Sequence, residues 1–405
     1  MKKILFIPTY TYLSSPIFSN LLPKLKEYET LYLDIEDQYS SEKTFKNFKD
    51  KFSKSIKLHM NAKGITFIEK VIKFFKMLLY INRLKKLIKK ESLSAIVTTG
   101  DMTFSMRIVK VYFPNIPVFL VQSALFPSKG MTRSVSQTIA YVFFNKILRV
   151  PIVSKQNYFG QEFNDVNLLL WGDYFANMLE KRDNCYIVGD LTLDNFPIDK
   201  NKEEKQKLLK NTKYSIDIPI VTICTSVLEG LVGKEIIDHA HTMYQELIID
   251  RQDIYFIVKL HPRNNGQAMR QVFESLNVNN VIIADTDLHK LFSYTDIHIS
   301  SFSRTAVEAI ASNIPIVVVN PDNGIMLEDF FQNSLNEKVT NSKELNEKIQ
   351  DILENKNEYL KFREKYIANK LYKLDGNAAQ RATNIIQDKI RFVENTKVSS
   401  NENII

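Results

Sequence analysis

Cysteine is scarce in this sequence of 405 residues, which contains only Cys185 and Cys224. Two cysteines without metal-type spacing cannot build a disulfide framework, so a protein of a reducing compartment is predicted. Long apolar runs are also missing, because no stretch approaches the ~20 residues that a transmembrane helix requires. At the amino terminus, Pro8 interrupts the short apolar run of MKKILFIPTYTYL, which favours a first β-strand over a signal peptide. We therefore expect a cytoplasmic protein.

Metal-binding patterns are equally scarce. Metal-dependent transferases carry an Asp-x-Asp pair, and the one pair here with that spacing is DTD, which ends at Asp287. It follows a predicted strand and opens the helix of LHKLF, so Asp287 is interpreted as a helix N-cap. His239 and His241 lie two residues apart, which places them on different faces of a helix. No metal site and no resident cofactor are therefore predicted.

The composition, with 44% hydrophobic and 25% charged residues, is that of an ordinary globular protein. A chain of 405 residues suits two α/β domains better than one core. Short apolar runs alternate with longer helical patterns, as in parallel α/β sheets. The strands predicted for the first half are Ile4–Ile7, Leu31–Asp34, Ala95–Thr98, Val118–Val121, Arg149–Val153, Asn167–Leu170 and Tyr186–Val188. Those predicted for the second half are Ile220–Cys224, Ile254–Lys259, Val281–Ala284, Ile297–Ser300 and Ile316–Val319.

The polar segment IDKNKEEKQKLLKNTKYSIDIP has no predicted strand and marks a domain boundary. We predict a Rossmann-like domain at residues 1–198, a linker at 199–216 and a second Rossmann-like domain at 217–374. The remaining residues, 375–405, are expected to form a helix from about Asn377 to Glu394 and then a polar tail without regular structure.

Much of the net charge of +8 lies at residues 63–90, KGITFIEKVIKFFKMLLYINRLKKLIKK, with nine Lys or Arg and one Glu. Apolar residues recur there at helical spacing, which predicts an amphipathic helix. The structural interpretation is a surface helix that packs on the sheet and leaves its basic face in water. The functional alternative is that it also contacts anionic lipid headgroups. Nucleic acid is not expected as a partner, because aromatic and basic residues are not interleaved on a recognisable platform.

The stretch YFIVKLHPRNN, residues 255–265, is a predicted buried strand that ends in basic side chains. Pro262 cannot donate to a sheet, so the strand must end before it. Parallel strands of α/β proteins bind ligands at their carboxyl ends, and Lys259, His261 and Arg263 suit an anion there. The structural alternative is that the strand simply ends.

A second transition from strand to helix lies in YTDIHISSFSRTAVEAIASNIPIVVVNP. Four small hydroxyl residues precede or open the helix, Ser300, Ser301, Ser303 and Thr305. A helix N-terminus has free backbone N–H groups and the positive end of the helix dipole, which favour phosphate. Glu308, one turn later, can accept hydrogen bonds from a ribose diol. Alone, Ser303 and Glu308 would be a helix cap and its partner, but with His261 at a neighbouring strand end phosphate binding is favoured.

The order of VKLHP, TDIHISSFSRTAVEA and NIPIVVV resembles the C-terminal half of GT-B glycosyltransferases and their relatives. In the first half, IVTTGDMTFSMRIVKVYFPNIPVFLVQSALFP resembles a unit of UDP-N-acetylglucosamine 2-epimerases. The segment LLLWGDYFANMLEKRDNCYIVGDLTLDNF resembles the one that closes their N-terminal domain. The resemblance covers most of residues 95–320. It implies an α/β fold of the GT-B type, with two Rossmann-like domains facing a central cleft.

Two departures separate the sequence from the epimerases. After IPV their unit carries a catalytic glutamate, whereas this sequence has VQSALF, with Gln122 and Ser123. The stretch HISSFSRTAVEA also lacks the glycines that follow the aspartate in that family. The run from Lys259 to Pro262 and the paired serines look more like bacterial sialyltransferases, Kdo transferases and glycerophosphotransferases of capsule or teichoic-acid synthesis. DGNAAQR, residues 375–381, resembles the tail of the glycerophosphotransferases.

The resemblance assigns donor-binding roles to the second half. It implies that His261 and three serines contact the donor phosphate, namely Ser300, Ser301 and Ser303. Lys259, Arg263 and the helix that begins near Thr305 can stabilise charge on the departing phosphate, so that no metal is required. Glu229, which follows the strand Ile220–Cys224, is predicted to face the diphosphate or the sugar.

The first half is predicted to bind the acceptor. Asp101 follows a strand, and Gly100 allows the backbone to approach closely there. Asp101 is either the general base that deprotonates the acceptor hydroxyl or the N-cap of the helix MTFSMRIVKVYF. Thr9, Tyr10 and Gln122 are predicted on the acceptor side, and His261 shares the catalytic role with Asp101.

We therefore predict a metal-independent GT-B glycosyltransferase that moves a sugar, or a sugar-like phosphate unit, from a nucleotide-activated donor. The donor is a co-substrate, and the His-Pro motif favours CMP or CDP types over UDP. The acceptor is a bacterial surface glycan, such as capsule polysaccharide or lipopolysaccharide, or a lipid-linked glycan at the inner membrane face. That location would explain the basic helix at 63–90. The alternatives are a nucleotide-sugar epimerase or hydrolase of the UDP-N-acetylglucosamine 2-epimerase type, and a non-catalytic glycan- or nucleotide-binding module.

Overall fold

The protein divides into two compact units, Met1–Asp194 with Lys370–Ile405, and Asn195–Asn369. The structure is a computed structural model, and each unit contains one parallel sheet with helices. It describes residues 1–35, 47–58, 67–101, 103–125, 135–151, 153–154, 159–160, 162–179, 183–196, 199–225, 233–260, 266–284, 286–301, 303–321, 338–361 and 363–402.

The first unit is built on a seven-stranded parallel sheet. Its strands are β1 (Lys3–Ile7), β2 (Glu29–Asp34), β3 (Lys54–Lys57), β4 (Ala95–Thr98), β5 (Val118–Val121), β6 (Asn167–Leu170) and β7 (Cys185–Ile187). The spatial order is β3-β2-β1-β4-β5-β6-β7, so the direction of winding reverses between β1 and β4. At such a switch point a crevice opens at the carboxyl ends of the strands. The central strands are buried on both faces, which explains their unbroken apolar sequences.

Helices of the first unit are α1 (Thr11–Leu21), α2 (Phe67–Glu91), α3 (Phe104–Tyr112), α4 (Val135–Tyr141) and α5 (Asp173–Met178). Short 3-10 turns lie at Leu22–Lys24 and Leu191–Leu193, and a π-helical segment lies at Val142–Ile147. Aromatic residues dominate the core on one side of the sheet. The Phe6 ring meets those of Phe18 and Phe52 edge-on, at centroid distances of 5.0 and 5.3 Å. Such pairs add about 1 kcal/mol each beyond the burial of their area.

One predicted strand of the first half, Arg149–Val153, is wrong. Arg149 has a left-handed backbone with a φ of 55°, and the Val150 N–H donates to Phe144 O at 2.9 Å. The Val153 N–H donates to Asn145 Oδ1 at 3.1 Å. The backbone N–H groups of Val150 and Val153 therefore bond to the preceding helical segment and not to a neighbouring strand.

The sequence also missed β3, the edge strand of the first sheet. Its sequence KSIK is short, largely exposed and rich in lysine. Edge strands often carry such residues because charged side chains prevent pairing with another chain. The same features hide the strand from a search for apolar runs.

The second unit contains a six-stranded parallel sheet. Its strands are β8 (Ile220–Cys224), β9 (Tyr255–Lys259), β10 (Val281–Ile283), β11 (Ile297–Ser300), β12 (Ile316–Val319) and β13 (Lys338–Val339). The order is β10-β9-β8-β11-β12-β13, which places the switch point between β8 and β11. The first five of these strands confirm the sequence prediction to within one residue at each end. The two-residue strand β13 was not predicted.

Helices of the second unit are α6 (Lys202–Leu209), α7 (Lys234–Asp250), α8 (Gly266–Glu274), α9 (Leu288–Phe292), α10 (Arg304–Ala311), α11 (Ser342–Glu354), α12 (Lys356–Lys361) and α13 (Arg363–Tyr366). A π-helical segment, Ile367–Leu371, follows. The core on one face of the sheet joins buried residues of β8, β9 and β11 to α7 and α11, among them Ile223, Phe256 and Leu247.

The region predicted as a linker, residues 199–216, differs from that expectation. It contains α6, and Leu209 at the end of α6 is buried together with Ile220 and Ile257 of the second sheet. This region therefore belongs to the second unit and contributes to its core.

The C-terminal helix α14 (Ala378–Glu402) belongs to the first unit. The Asp194 carboxylate accepts the N–H groups of Ala378 and Ala379 at 2.8 Å each, which caps the helix start. Ile386 and Ile390 are buried in the core of the first unit. The expected polar tail after Glu394 is wrong, because the helix continues to Glu402.

Candidate active site

Three strand ends lie side by side at the switch point of the second sheet. Cys224, the last residue of β8, is paired with Lys259 of β9 on one side and with Ser300 of β11 on the other. Because the strands are parallel, their carboxyl ends share one edge, where α/β sheets bind ligands. The structure thus brings together two of the predicted donor-binding residues, Lys259 and Ser300.

The helix N-terminus predicted to hold phosphate is that of α10. Ser303 is its N-cap, and Ser303 Oγ accepts hydrogen bonds from Thr305 N at 3.2 Å and from Thr305 Oγ1 at 3.0 Å. Thr305 Oγ1 also lies 3.1 Å from Nε2 of His298, on β11. Burial lowers the pKa of His298 to about 3, so the imidazole is neutral. Ser303 therefore caps the helix, and this hydroxyl network fixes the N-terminus against the strand that precedes it.

Two buried serines lie between β11 and α10. Ser300 is 0% and Ser301 1% exposed. Ser301 Oγ lies 3.4 Å from Tyr244 Oη, whereas Ser300 Oγ has no hydrogen-bond partner among the residues that the structure describes. Buried hydroxyl groups nearly always have a partner. The Ser300 hydroxyl therefore has hydrogen-bonding capacity that the described residues leave unused.

Charged groups surround the same strand ends. Lys259 Nζ donates to Thr286 O at 2.7 Å. Burial raises the pKa of Cys224 to about 12 even though the charge of Lys259 opposes this, so the thiol stays neutral. Glu308 Oε1 accepts a hydrogen bond from Arg304 Nε at 3.1 Å. A ribose diol would have to share the Glu308 carboxylate with Arg304.

Three predicted donor-site residues, Glu229, His261 and Arg263, lie outside the described residues. Their roles stay predictions from the sequence. The described residues that precede them in sequence, Thr225 and Leu260, directly follow β8 and β9 at the carboxyl edge.

In the first unit a network of hydroxyl groups joins the carboxyl ends of β1 and β4. Thr99 Oγ1 accepts the Thr9 N–H at 3.1 Å, donates to Thr9 Oγ1 at 3.2 Å and lies 2.7 Å from Ser14 Oγ. Thr9 is half-buried, and the next residue, Tyr10, is 45% exposed. These two predicted acceptor-side residues therefore lie at the switch point of the first sheet.

Gln122, the third predicted acceptor-side residue, is held in the interior at 1% exposure. Its Oε1 accepts the Trp171 N–H at 3.0 Å, and its Nε2 donates to Ala124 O at 3.2 Å. The Trp171 indole N–H in turn donates to Gln122 O at 3.1 Å. Both ends of the Gln122 amide are thus engaged, and the residue fixes the chain that follows β5.

Asp101, the predicted base, is 1% exposed. Its Oδ2 accepts the Glu162 N–H at 3.1 Å, while Oδ1 has no hydrogen-bond partner within the described ranges. Burial raises the pKa of Asp101 to about 6, with a smaller contribution from the Glu162 charge, against backbone N–H groups that lower it. A carboxylate that titrates near neutral pH suits a general base. The alternative role as N-cap of α3 is wrong, since Thr103 is the cap and accepts the Met106 N–H at 3.3 Å.

The sequence did not single out Glu162, which contacts Asp101, or Arg107, whose charge interacts with that of Glu162. Glu162 is 6% exposed and accepts a hydrogen bond from Ser154 Oγ at 2.7 Å. Arg107 is 7% exposed and donates from Nε to Pro151 O at 3.0 Å, and the Glu162 charge opposes the lowering of its pKa by burial. An arginine among apolar residues in the helix after Asp101 was a visible signal for Arg107. Glu162 has no such signal, because it reaches Asp101 from a distant loop.

Gly100→Ala tests how tightly the switch point of the first sheet is packed. A Cβ at this position would lie 2.2 Å from Thr9 Oγ1 and 3.2 Å from Thr9 Cβ. We expect the free energy of unfolding, measured by urea denaturation, to fall by about 1–2 kcal/mol. The matched background is Thr9→Ala, which removes the closest atom. If Gly100→Ala costs as much in that background as in the wild type, contact with the Thr9 side chain is not the cause.

The described residues contain no group of His, Cys, Asp or Glu that could hold a metal ion. A cavity of about 470 Å³ opens at the amino edge of the second sheet, and its lining includes Lys200 and Lys205. Both cations already have partners, since Lys200 bonds to the carbonyl of Thr295 and Lys205 lies 3.6 Å from Asp296. We place the candidate site at the opposite, carboxyl edge, where the helix N-terminus lies next to a hydroxyl that no described residue satisfies.

The family model of CDP-Glycerol:Poly(glycerophosphate) glycerophosphotransferase matches residues 236–388, less than half of the chain. The matched part contains β9, β11 and α10, and with them the described donor-binding residues of the candidate site. No curated protein matches the sequence. The match agrees with the predicted resemblance to glycerophosphotransferases, and the prediction of a transferase-type enzyme is confirmed.

Solved structures of MnaA, of an epimerase and of a polymerase share the fold. MnaA of S. aureus, solved with UDP, has 16% identity and a TM-score of 0.60, over 96% of this chain and 97% of that chain. UDP-GlcNAc 2-epimerase of Neisseria meningitidis, bound to UDP-GlcNAc, has 16% identity and a TM-score of 0.59, over 96% and 100%. The wall teichoic acid polymerase TagF, soaked with CDPG, has 12% identity and a TM-score of 0.54, over 96% and 89%. Such low identities show the fold alone, and the predicted α/β class of the GT-B type is confirmed.

Proposed function

We propose that this enzyme transfers a sugar, or a glycerophosphate-like unit, from a nucleotide-activated donor to a bacterial surface glycan, without a metal ion. The observation that carries the proposal is the Ser300 hydroxyl, which is buried beside the N-terminus of α10 at the switch point of the sheet and has no hydrogen-bond partner among the described residues. Lys259 adds a positive charge on the other side of the β8 end. The family model that matches 236–388 is named for a CDP-glycerol donor, which supports a diphosphate ligand at this edge.

The donor site would act on the leaving phosphate. The acceptor oxygen forms a bond to the anomeric carbon, or to the phosphorus of the transferred unit, and the bond to the nucleotide phosphate breaks. The electron pair of that bond stays on the departing phosphate. Lys259, the Ser300 hydroxyl and the N–H groups that open α10 are fixed before reaction, so they stabilise this charge without reorganising. His261 and Arg263 are the predicted further partners of the phosphate.

Asp101 would take the proton that the acceptor hydroxyl loses. With a pKa of about 6 it is mostly ionised at neutral pH, yet basic enough to accept a proton in the transition state. The hydroxyl groups of Thr9 and Tyr10, at the same switch point as Asp101, are proposed to bind the acceptor glycan.

The proposal also covers the nucleotide of the donor and the place of the enzyme in the cell. Cytidine donors are favoured over uridine donors by the His-Pro motif and by the name of the matching family model. A lipid-linked acceptor would place the enzyme at the inner membrane face. The epimerase alternative is less well supported, because Gln122 stands where the resemblance puts a catalytic glutamate, and its amide is fixed against Trp171.

Calorimetric titration with CMP, CDP, UDP and GDP, each with and without magnesium, tests the proposed donor site. We expect one nucleotide to bind selectively, with the same affinity in both conditions, and His261→Ala to abolish measurable binding. If no nucleotide binds, the donor site is refuted. If UDP alone binds and UDP-N-acetylglucosamine is converted to its 2-epimer, the epimerase alternative replaces the transferase.

A further inference from the structure

Strongly exposed apolar side chains are concentrated in two segments of the first unit. The helix α2 exposes five of them by 40–70%, Ile68, Val71, Ile72, Phe75 and Leu79. Residues 135–148, which include α4 and the π-helical segment after it, expose six by 43–78%, Val135, Ile139, Val142, Phe143, Ile147 and Leu148. The other exposed large apolar residues in the described ranges are scattered. Concentrated exposure of this kind marks an interaction surface.

The two segments adjoin each other. The ring centroids of Phe74 and Phe144 lie 6.0 Å apart, which joins α2 to the π-helical segment. Each of these rings also contacts its exposed neighbour, since Phe74 lies 6.0 Å from Phe75 and Phe144 lies 5.2 Å from Phe143. Residues 68–79 and 135–148 therefore form one apolar surface, here called the docking surface.

Side chains of α2 are apolar on two faces. One face is buried in the first unit through Met77, Tyr80, Ile81, Leu84 and Ile88. Tyr80 is also anchored by a contact of 2.6 Å between its Oη and Ser105 Oγ. A helix with a single apolar stripe needs only that face. The second apolar face of α2 is therefore not required for packing against its own sheet.

The exposed face of α2 changes character along the helix. Ile68, Ile72, Phe75 and Leu79 follow one another at intervals of three or four residues, so they lie on one face. The same spacing continues through three exposed cations, Arg83, Lys86 and Lys90. One continuous face is thus apolar in its first half and basic in its second.

Acidic residues are nearly missing from this region. Glu69 is the one exposed carboxylate of α2, since Glu91 is 5% exposed and bonded to Lys3 at 2.8 Å and to Lys54 at 2.6 Å. Residues 135–149 contain no Asp or Glu and add Lys146 and Arg149. The docking surface therefore combines apolar side chains with net positive charge.

We propose that the docking surface binds an anionic lipid bilayer, with residues 68–79 and 135–148 inserted at the level of the acyl chains and the basic end of α2 on the headgroups. This combination is what interfacial helices use to bind such membranes. A second copy of the chain fits less well, because self-association would place two surfaces of the same net positive charge against each other. Across the described part of the chain, each helix is too short or too polar to cross a bilayer. The proposal is independent of the proposed transfer reaction.

Sedimentation with vesicles tests the proposal on the full chain. Wild type is expected to pellet with vesicles of phosphatidylcholine and phosphatidylglycerol, and far less with phosphatidylcholine alone. The variants Phe75→Ser with Leu79→Ser and Phe143→Ser with Ile147→Ser should each lower the partition coefficient at least about tenfold. The matched control is Phe392→Ser, which alters an equally exposed phenylalanine, 65% against 61% for Phe75, outside the docking surface. It should bind like wild type.

Three results would overturn the proposal. The first is a fall in the partition coefficient of Phe392→Ser as large as that of the docking-surface variants. The second is an unchanged partition coefficient when Arg83, Lys86 and Lys90 are all replaced by Gln. The third is a dimer in light scattering that Phe143→Ser with Ile147→Ser converts to a monomer, which would make the surface an interface between copies. Unchanged circular dichroism and nucleotide affinity would show that each variant is folded, so failure of membrane binding remains distinguishable from failure of the donor site.

Discussion

Asp101→Asn is expected to stabilise the fold and, at the same time, to lower the rate of transfer about 10²- to 10⁴-fold, the usual contribution of a general base. Burial raises the pKa of Asp101 from 3.8 to about 6, so its ionisation costs the folded protein about 3 kcal/mol at pH 7. An amide removes this cost. Its NH₂ group takes the place of an oxygen that has no partner in the described residues. A buried donor without a partner lowers stability, so about 1 kcal/mol of the gain is lost. The expected net gain is about 2 kcal/mol in the free energy of unfolding.

The pH dependence of both quantities follows from the raised pKa. Between about pH 4 and 6 the folded protein holds a proton on Asp101 that the unfolded chain has lost, so this group's contribution to stability falls as pH rises through that window. Above about pH 6 the stabilising contribution of the Asp101 proton is fully lost. The advantage of Asp101→Asn should therefore be full at pH 7 and vanish near pH 4. The transfer rate of wild type should rise between about pH 5 and 7, with a midpoint near pH 6, because only the pKa of the folded protein governs it.

Asp190 provides the matched control. It is also 1% exposed, but its Oδ1 accepts hydrogen bonds from Thr192 N at 3.0 Å and Thr192 Oγ1 at 2.9 Å. Asp190→Asn keeps an oxygen that can accept both hydrogen bonds, so it should change stability little and keep the transfer rate. Urea denaturation at pH 4 to 8 and initial rates with donor and acceptor measure both effects. A variant Asp101→Asn that is less stable and fully active would show that this carboxylate is structural.

Strand positions could be predicted from the sequence because parallel strands are buried on both faces. Residues 316–319, IVVV, are an unbroken apolar run between helices, and residues 297–300, IHIS, keep isoleucine at every second position; both segments are strands. The position of Lys259 and Ser300 on either side of Cys224 follows once the strand order is that of a doubly wound sheet. The donor edge of the site was therefore accessible to sequence analysis.

Contacts that depend on how loops fold back could not be predicted from the sequence. The Glu162 N–H reaches Asp101 from a loop beyond the next strand of the sheet, and no local pattern encodes this distance. The solvent exposure of apolar side chains could not be predicted from the sequence either. Residues 142–148 have the composition of a buried element, yet Phe143 and Ile147 are 47% and 65% exposed. The amphipathic pattern of α2 was therefore visible in the sequence, whereas the exposure of residues 135–148 was not.

Ser300→Ala is expected to weaken nucleotide binding roughly 10- to 100-fold without loss of stability. A hydrogen bond to a charged phosphate contributes about 1.5–3 kcal/mol, which is this range of affinity. In the unliganded protein the hydroxyl is fully buried, and it has no partner in the described part of the chain. Removing it should leave the free energy of unfolding unchanged or raise it by up to about 1 kcal/mol. Loss of binding with retained stability is the signature of a group that the ligand satisfies.

The matched control for this last experiment lies at the other end of the same helix. Ser312 is 2% exposed, and its Oγ donates to Glu308 O at 2.8 Å, so its hydroxyl is already satisfied. Ser312→Ala should therefore lose about 1 kcal/mol of stability and bind nucleotide like wild type. Calorimetry with the nucleotide that wild type binds most tightly, together with urea denaturation, measures both variants. If Ser300→Ala behaves like Ser312→Ala, the Ser300 hydroxyl has a structural partner and the phosphate must bind elsewhere. The opposite pattern in the two serines would place the donor phosphate at the junction of β11 and α10.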